Sequence, residues 1–81
     1  MITVLFFGKL RDQFKIDQLN IEAPCSNIQQ LFDCLSAENA ALSDLKNTAN
    51  LLVAINQDMA DFDSELNEGD EVAFFPPVTG G

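Results

Sequence analysis

The chain has 81 residues, 13 of them acidic and 4 basic, and a formal net charge of −9. A chain of this length forms one domain with a small core. Because it contains no histidine, it has no imidazole general base, no histidine-based nucleophile pair and no ordinary zinc or haem site. The negative charge argues against nucleic acid and anionic membranes as partners, and it favours a protein partner with a basic face.

The first part of the chain predicts two strands. Residues 2–7 are a β-branched and aromatic run of strand length that ends at Gly8. Residues 18–22 alternate between apolar and polar side chains, which predicts a second, half-buried strand. The segment between them is expected to be a polar loop, and it holds three of the four basic residues: Lys9, Arg11 and Lys15.

A helix is predicted after Pro24. Ser26 and Gln29 form the S-x-x-Q pattern of a capping box, and four apolar residues follow at the spacing of one helical stripe: Ile28, Leu31, Phe32 and Leu35. A shorter second helix is predicted over residues 40–46, with Leu42 and Leu45 as its apolar residues.

The last part of the chain predicts three strands. Residues 51–56 form the first, and a turn at Gln57-Asp58 leads to a short strand over residues 59–62. The turn signal Gly69-Asp70 introduces a final strand over residues 71–75, which Pro76-Pro77 must end.

This order of elements predicts an α+β fold with a mixed sheet of four to five strands, one main helix and a short second helix. Both terminal strands are strongly apolar, and a helix packed across a mixed sheet in which these two strands lie side by side and parallel, joined by a right-handed crossover, satisfies this pattern. The arrangement is the ubiquitin-like β-grasp. We expect a β-grasp domain over residues 1–76 and an extended tail over residues 77–81.

Nothing in the sequence predicts export or membrane insertion. The N-terminus has no basic region or cleavage site, and no apolar run approaches the ~18 residues of a membrane span. A cytoplasmic location is therefore expected. The two cysteines, Cys25 and Cys34, fit this expectation as core thiols, and pairing between them stays open.

The first and last predicted strands carry apolar residues on both faces. The set that shares a face with Thr3 and Glu71 is expected to point outward, because a lone carboxylate is seldom buried. An exposed apolar patch with aromatic anchors is typical of a protein interface, and the alternative is that the second helix or a loop covers it. The outward set is Leu5, Phe7, Ala73 and Phe75, with Met59 as an extension.

No side-chain cluster is expected to be catalytic or to bind a metal. The acidic residues between Asp58 and Glu71 are expected to be solvated. Cys25 lies just before the predicted helix, where backbone N–H groups can lower the pKa of a thiol. As a lone thiol in a chain without histidine, it is nevertheless expected to be structural. The C-terminus remains as a candidate. Pro76-Pro77 stiffen it, and Gly80-Gly81 give it a narrow tip whose α-carboxylate a partner's nucleotide chemistry can activate.

Three segments carry a resemblance to a known family: the ending GDEVAFFPPVTGG, the opening MITVLFFGKLR and the strand LLVAIN. They resemble the small subunit of molybdopterin synthase, the molybdopterin sulfur carrier. The resemblance implies that an E1-like activating enzyme adenylates the terminal glycine with ATP, and that the product is converted to a thiocarboxylate. The tail then enters the large synthase subunit and donates sulfur to cyclic pyranopterin monophosphate.

The resemblance also implies roles for individual residues. Gly81 would carry the thiocarboxylate, and the residues that enter the large subunit with it would be Gly80, Thr79 and Val78. The partner interface would include Phe7, Phe75, Leu5 and Met59. In this family two small and two large subunits form a heterotetramer, the small subunit binds no cofactor, and it is not catalytic alone.

Three alternatives remain open at this stage. A thiamine-type sulfur carrier has the same fold and the same Gly-Gly ending, and a ubiquitin-like protein modifier would join Gly81 to substrate lysines. A plain binding module with an incidental tail is the third alternative. It would keep its function when Gly81 is deleted, whereas a carrier or modifier would lose it.

Overall fold

The computed structural model describes residues 1–22, 24–48 and 51–76. The predicted tail, residues 77–81, lies outside this part of the chain. The elements in chain order are β1 (Ile2–Phe6), α1 (Lys9–Phe14), β2 (Gln18–Ile21), α2 (Ile28–Glu38), a 3₁₀ helix (Ala40–Asn47), β3 (Leu52–Ile55), β4 (Asp58–Ala60) and β5 (Glu71–Phe75).

The strands form one mixed sheet in the order β2-β1-β5-β3-β4. β1 and β5 pair in parallel at its centre, and the other neighbours are antiparallel. A parallel pair needs a long crossover, and here the chain between the two terminal strands supplies it. The predicted α+β fold of the β-grasp type, with adjacent parallel terminal strands, is confirmed.

Helix α2 packs its apolar stripe against one face of the sheet, called the inner face here. All four predicted stripe residues are buried, and they join inward-facing residues of β1 and β5 in one core. The Phe74 ring stacks on Phe32 with centroids 5.4 Å apart and lies 6.1 Å from Phe6. Aromatic contacts of this kind add stability beyond the area that they bury.

The cap of α2 lies one residue later than the sequence predicts. Asn27 is the N-cap, and its Oδ1 accepts a hydrogen bond from the backbone N–H of Gln30 at 2.8 Å. The side chain of Gln30 in turn accepts one from the backbone N–H of Ser26. The Ser26 and Gln29 pair was therefore wrong, because the overlapping N-x-x-Q pattern starts at the residue whose extended backbone suits a cap.

The expected polar loop over residues 9–15 was also wrong, since most of it forms α1. Leu10 is only 1% exposed, and the ring of Phe14 lies 6.3 Å from that of Phe6. These two residues are four apart and share one face of a helical turn. The intervening charges concealed this short pattern.

Two further differences are small. The second helix is a 3₁₀ helix whose two buried leucines, Leu42 and Leu45, are three residues apart, which matches its three residues per turn. The β3–β4 turn is made by Asn56 and Gln57, both with positive φ, so β4 begins one residue earlier than predicted and is short.

Within the described residues, no helix has the length and apolar character needed to cross a membrane.

Replacing Leu10 tests whether α1 belongs to the core. Leu10→Ala removes a buried side chain and is expected to lower the free energy of unfolding by about 2–4 kcal/mol, measured by urea denaturation. The control Lys9→Ala changes an exposed neighbour and should shift it by less than about 0.5 kcal/mol. Equal stabilities of the two variants would contradict the placement of α1.

Candidate functional site

The outer face of the sheet has no helix over it in the described part of the chain. The 3₁₀ helix, the alternative cover, puts both of its leucines into the core together with α2. On the other side of the sheet, Phe7 is 47% exposed and Met59 is 64% exposed. The expected apolar outer face is therefore present.

Strand register aligns the outward residues into two rows. Leu5 lies opposite Ala73, which lies opposite Ala54, which lies opposite Met59. Residues directly opposite each other share a face of the sheet, so this apolar row crosses four strands.

The second row pairs Leu52 with Phe75. Phe7 joins it, because its backbone N–H donates to the carbonyl of Phe74 at 3.1 Å and thereby continues the β1–β5 pairing. We call the two rows together the outer patch: Leu5, Phe7, Leu52, Ala54, Met59, Ala73 and Phe75. Leu52 and Ala54 were missed by sequence reasoning, although the alternation of LLVAIN about Val53 contains the signal.

Polar residues limit the outer patch to one end of the sheet. Thr3 lies opposite Glu71 on one side and Asn20 on the other, and all three have their places near the N-terminal ends of β1 and β5. The apolar residues thus lie toward the C-terminal ends of both central strands. That is the end from which β5 continues toward the predicted tail.

Gly8 contacts the chain where it leaves β5. Its φ is +58°, a region that L side chains rarely adopt, and a Cβ there would lie 3.3 Å from Cγ of Pro76. The turn before α1 is therefore packed against Pro76, the last described residue. We call this contact between Gly8 and Pro76 the tail root. The predicted reactive positions, Val78, Thr79, Gly80 and Gly81, lie outside the described residues.

Positive charge is concentrated beside the tail root. Lys9, Arg11 and Lys15 lie in or next to α1, and all three are exposed. Arg11 reaches Asp17 at 3.7 Å, but an exposed pair of this kind contributes little to stability. Asp12 and Asp17 lie in the same stretch, so residues 9–17 carry a net charge of only +1, on a chain whose overall charge is −9.

The described residues offer a surface for binding and no side-chain cluster for catalysis or metal binding. No polar side chain among them is buried, and no group of three or more metal-ligating residues among them is arranged around a common point. Burial, reinforced by the neighbouring Cys34, raises the pKa of Cys25 to about 12. The lowered pKa considered for Cys25 is therefore wrong, because the loss of hydration on burial disfavours the thiolate.

Comparisons with known proteins identify relatives of this chain. The ThiS family matches residues 4–81. The Escherichia coli (strain K12) protein named molybdopterin synthase sulfur carrier subunit is 40% identical over 81 residues, which cover all of both chains.

Two solved structures have the same fold. SAMP1 from Haloferax volcanii has a TM-score of 0.80 at 21% identity, and the match covers 99% of this chain and 98% of that one. A chain in the complex of subunits 1 and 2 of molybdopterin-converting factor from Helicobacter pylori has a TM-score of 0.66 at 26% identity, covering 99% and 97%.

Paired glycine substitutions test the tail root. Gly8→Ala and Gly69→Ala both place a Cβ at a positive φ, but only the first meets another atom, since nothing lies within 4 Å of the second. Each should lower the free energy of unfolding by about 1–3 kcal/mol from backbone strain, and Gly8→Ala should lose more. Equal losses in urea denaturation would contradict a close contact with Pro76.

Proposed function

Because this chain belongs to the ThiS family, we propose that it is a sulfur carrier in molybdopterin biosynthesis that works through its C-terminal glycine. The resemblance to the small subunit of molybdopterin synthase is confirmed by the full-length relative of that name. The structural observation that supports the proposal is that the outer patch and the tail root lie at the same end of the sheet. A partner that binds the patch is thereby placed to receive the tail.

The chemistry takes place on the α-carboxylate of Gly81. On an E1-like activating enzyme, the carboxylate attacks the α-phosphate of ATP, and an acyl-adenylate and pyrophosphate are formed. A sulfur donor then displaces AMP and leaves a thiocarboxylate. Adenylation supplies the leaving group that a carboxylate lacks, so a chain with no histidine and no buried polar side chain among its described residues takes part without being catalytic.

The acceptor stage uses the outer patch. In this proposal the large synthase subunit buries Phe7 and Phe75, while Val78, Thr79 and Gly80 enter its active site with Gly81. Aromatic residues at the centre of an interface often contribute most of its binding energy. Leu5 and Met59 extend the same contact. The solved Helicobacter pylori complex of subunits 1 and 2 supports a large-subunit partner.

The stoichiometry, the number of sulfur transfers and the cellular location proposed here are those of the family. Two small and two large subunits form the heterotetramer, and two sulfur transfers convert cyclic pyranopterin monophosphate to molybdopterin. This chain holds no cofactor or metal of its own, since ATP is bound by the activating enzyme. The site of action is the cytoplasm, and neither nucleic acid nor a membrane takes part.

Intact mass spectrometry tests the reactive group. After incubation of the full chain with an E1-like activating enzyme, ATP and a sulfur source, we expect replacement of one oxygen by sulfur, and the same chain lacking Gly81 should stay unchanged. Transfer to cyclic pyranopterin monophosphate, followed with the large subunit, separates this function from a thiamine-type carrier. An unchanged full-length mass, under conditions that modify a known carrier, would contradict the proposal.

Docking is tested with the exposed aromatic residue of the outer patch. Phe7→Ala should weaken binding to the large subunit by at least about tenfold, because hot-spot residues contribute ~2 kcal/mol or more. Its free energy of unfolding should change by less than about 0.5 kcal/mol. Lys46→Ala, exposed on the 3₁₀ helix, is the control and should bind normally. Normal binding by Phe7→Ala would exclude the outer patch as the docking site.

A further inference from the structure

The two cysteines meet on the inner side of the sheet. Cys25 lies three residues before α2, and Cys34 lies within it. Their Sγ atoms are 2.9 Å apart, although the residues are nine positions apart in the sequence. Both are thiols in this structure.

Backbone and side-chain contacts hold the segment before α2 in this position. The N–H of Ser26 donates to Oε1 of Gln30 at 2.8 Å, and the carbonyl of Ser26 accepts from the N–H of Leu66 at 2.9 Å. Asn27 caps the helix and also forms a bridge with Glu65. The two residues that follow Cys25 are thus fixed both to α2 and to the segment at residues 65 and 66, which holds its sulfur close to that of Cys34.

The surroundings of the two sulfurs differ. Cys25 is 9% exposed and belongs to the core, whereas Cys34 is half-buried and packs at its edge. An external reagent therefore reaches Cys34 first. Burial also keeps Cys25 protonated, so it is the poorer initial nucleophile.

We propose that Cys25 and Cys34 are a reversible redox pair, which a small-molecule disulfide such as glutathione disulfide converts to an internal disulfide. The thiolate of Cys34 attacks one sulfur of the reagent, forms a mixed disulfide and releases one glutathione thiolate. Cys25 then loses its proton to solvent, attacks Sγ of Cys34 and releases the second glutathione. Two protein thiols are oxidised and one glutathione disulfide is reduced to two glutathione thiols.

The disulfide between Cys25 and Cys34 is expected to stabilise the folded protein. The pair joins α2 to the segment before it on the inner side of the sheet, and the outer patch lies on the opposite face. The disulfide closes a short loop that includes the start of α2, and such a crosslink restricts the unfolded chain. The oxidised protein should therefore melt at a higher temperature and still bind through the outer patch. This inference does not depend on the proposed sulfur transfer.

The test uses the full chain in glutathione buffers of increasing oxidised fraction. Remaining thiols are blocked with N-ethylmaleimide under denaturing conditions, and the intact mass is measured. The wild type should lose both thiols together and gain an internal disulfide. Cys25→Ala should instead retain glutathione on Cys34, at a level at least about tenfold above the mixed disulfide of the wild type, since no second thiol removes it.

Two outcomes would overturn the proposal. One is a wild type that accumulates the glutathione adduct as Cys25→Ala does, and the other is a wild type that keeps both thiols in buffers that oxidise a reference dithiol. Because Cys25→Ala opens a gap in the core, peptide mapping of the wild type alone provides the second measurement. It should find one crosslinked peptide that contains Cys25 and Cys34. The melting temperature of the oxidised chain should rise by at least about 5 °C.

Discussion

β1 and β5 pair in parallel along the centre of the sheet, so the first and last strands of the domain lie side by side. One face of this pair carries Val4, Phe6, Val72 and Phe74, which are almost completely buried under α2. The other face carries the centre of the outer patch. The same pairing brings the turn at Gly8 against Pro76, where β5 ends. The core, the outer patch and the tail root therefore all depend on one strand pair.

A single helical layer is what leaves the outer face open. The helices of a chain this short cover one face of a five-stranded sheet, and both rows of the opposite face stay apolar at one end. In a monomer such a surface is a liability for aggregation, so its presence is best understood as a site that a partner covers. A net charge of −9 disfavours association between free chains.

Much of the fold and of the outer patch could be predicted from the sequence, because strands and helices leave periodic patterns of apolar residues. Alternation gave the inward and outward sets of β1 and β5, and the spacing of the α2 stripe identified its buried face. Residues 9–15 were misjudged because a helix of six residues shows only one pair of apolar positions, Leu10 and Phe14. The contact of Gly8 with Pro76 and the approach of the two cysteines could not be predicted. Each of these contacts joins residues that approach one another only when the chain between β1 and β5 is folded. No local sequence pattern predicts such a contact.

In the proposed function, the outer face docks on a partner and thereby delivers the tail. Hydrogen–deuterium exchange of the full chain, alone and bound to the large subunit of molybdopterin synthase, tests it most directly. Exchange should slow at Phe7, Gly8 and the end of β5, and it should stay unchanged along α2, the matched control on the opposite face. Protection of α2 without protection at the end of β5 would contradict the account.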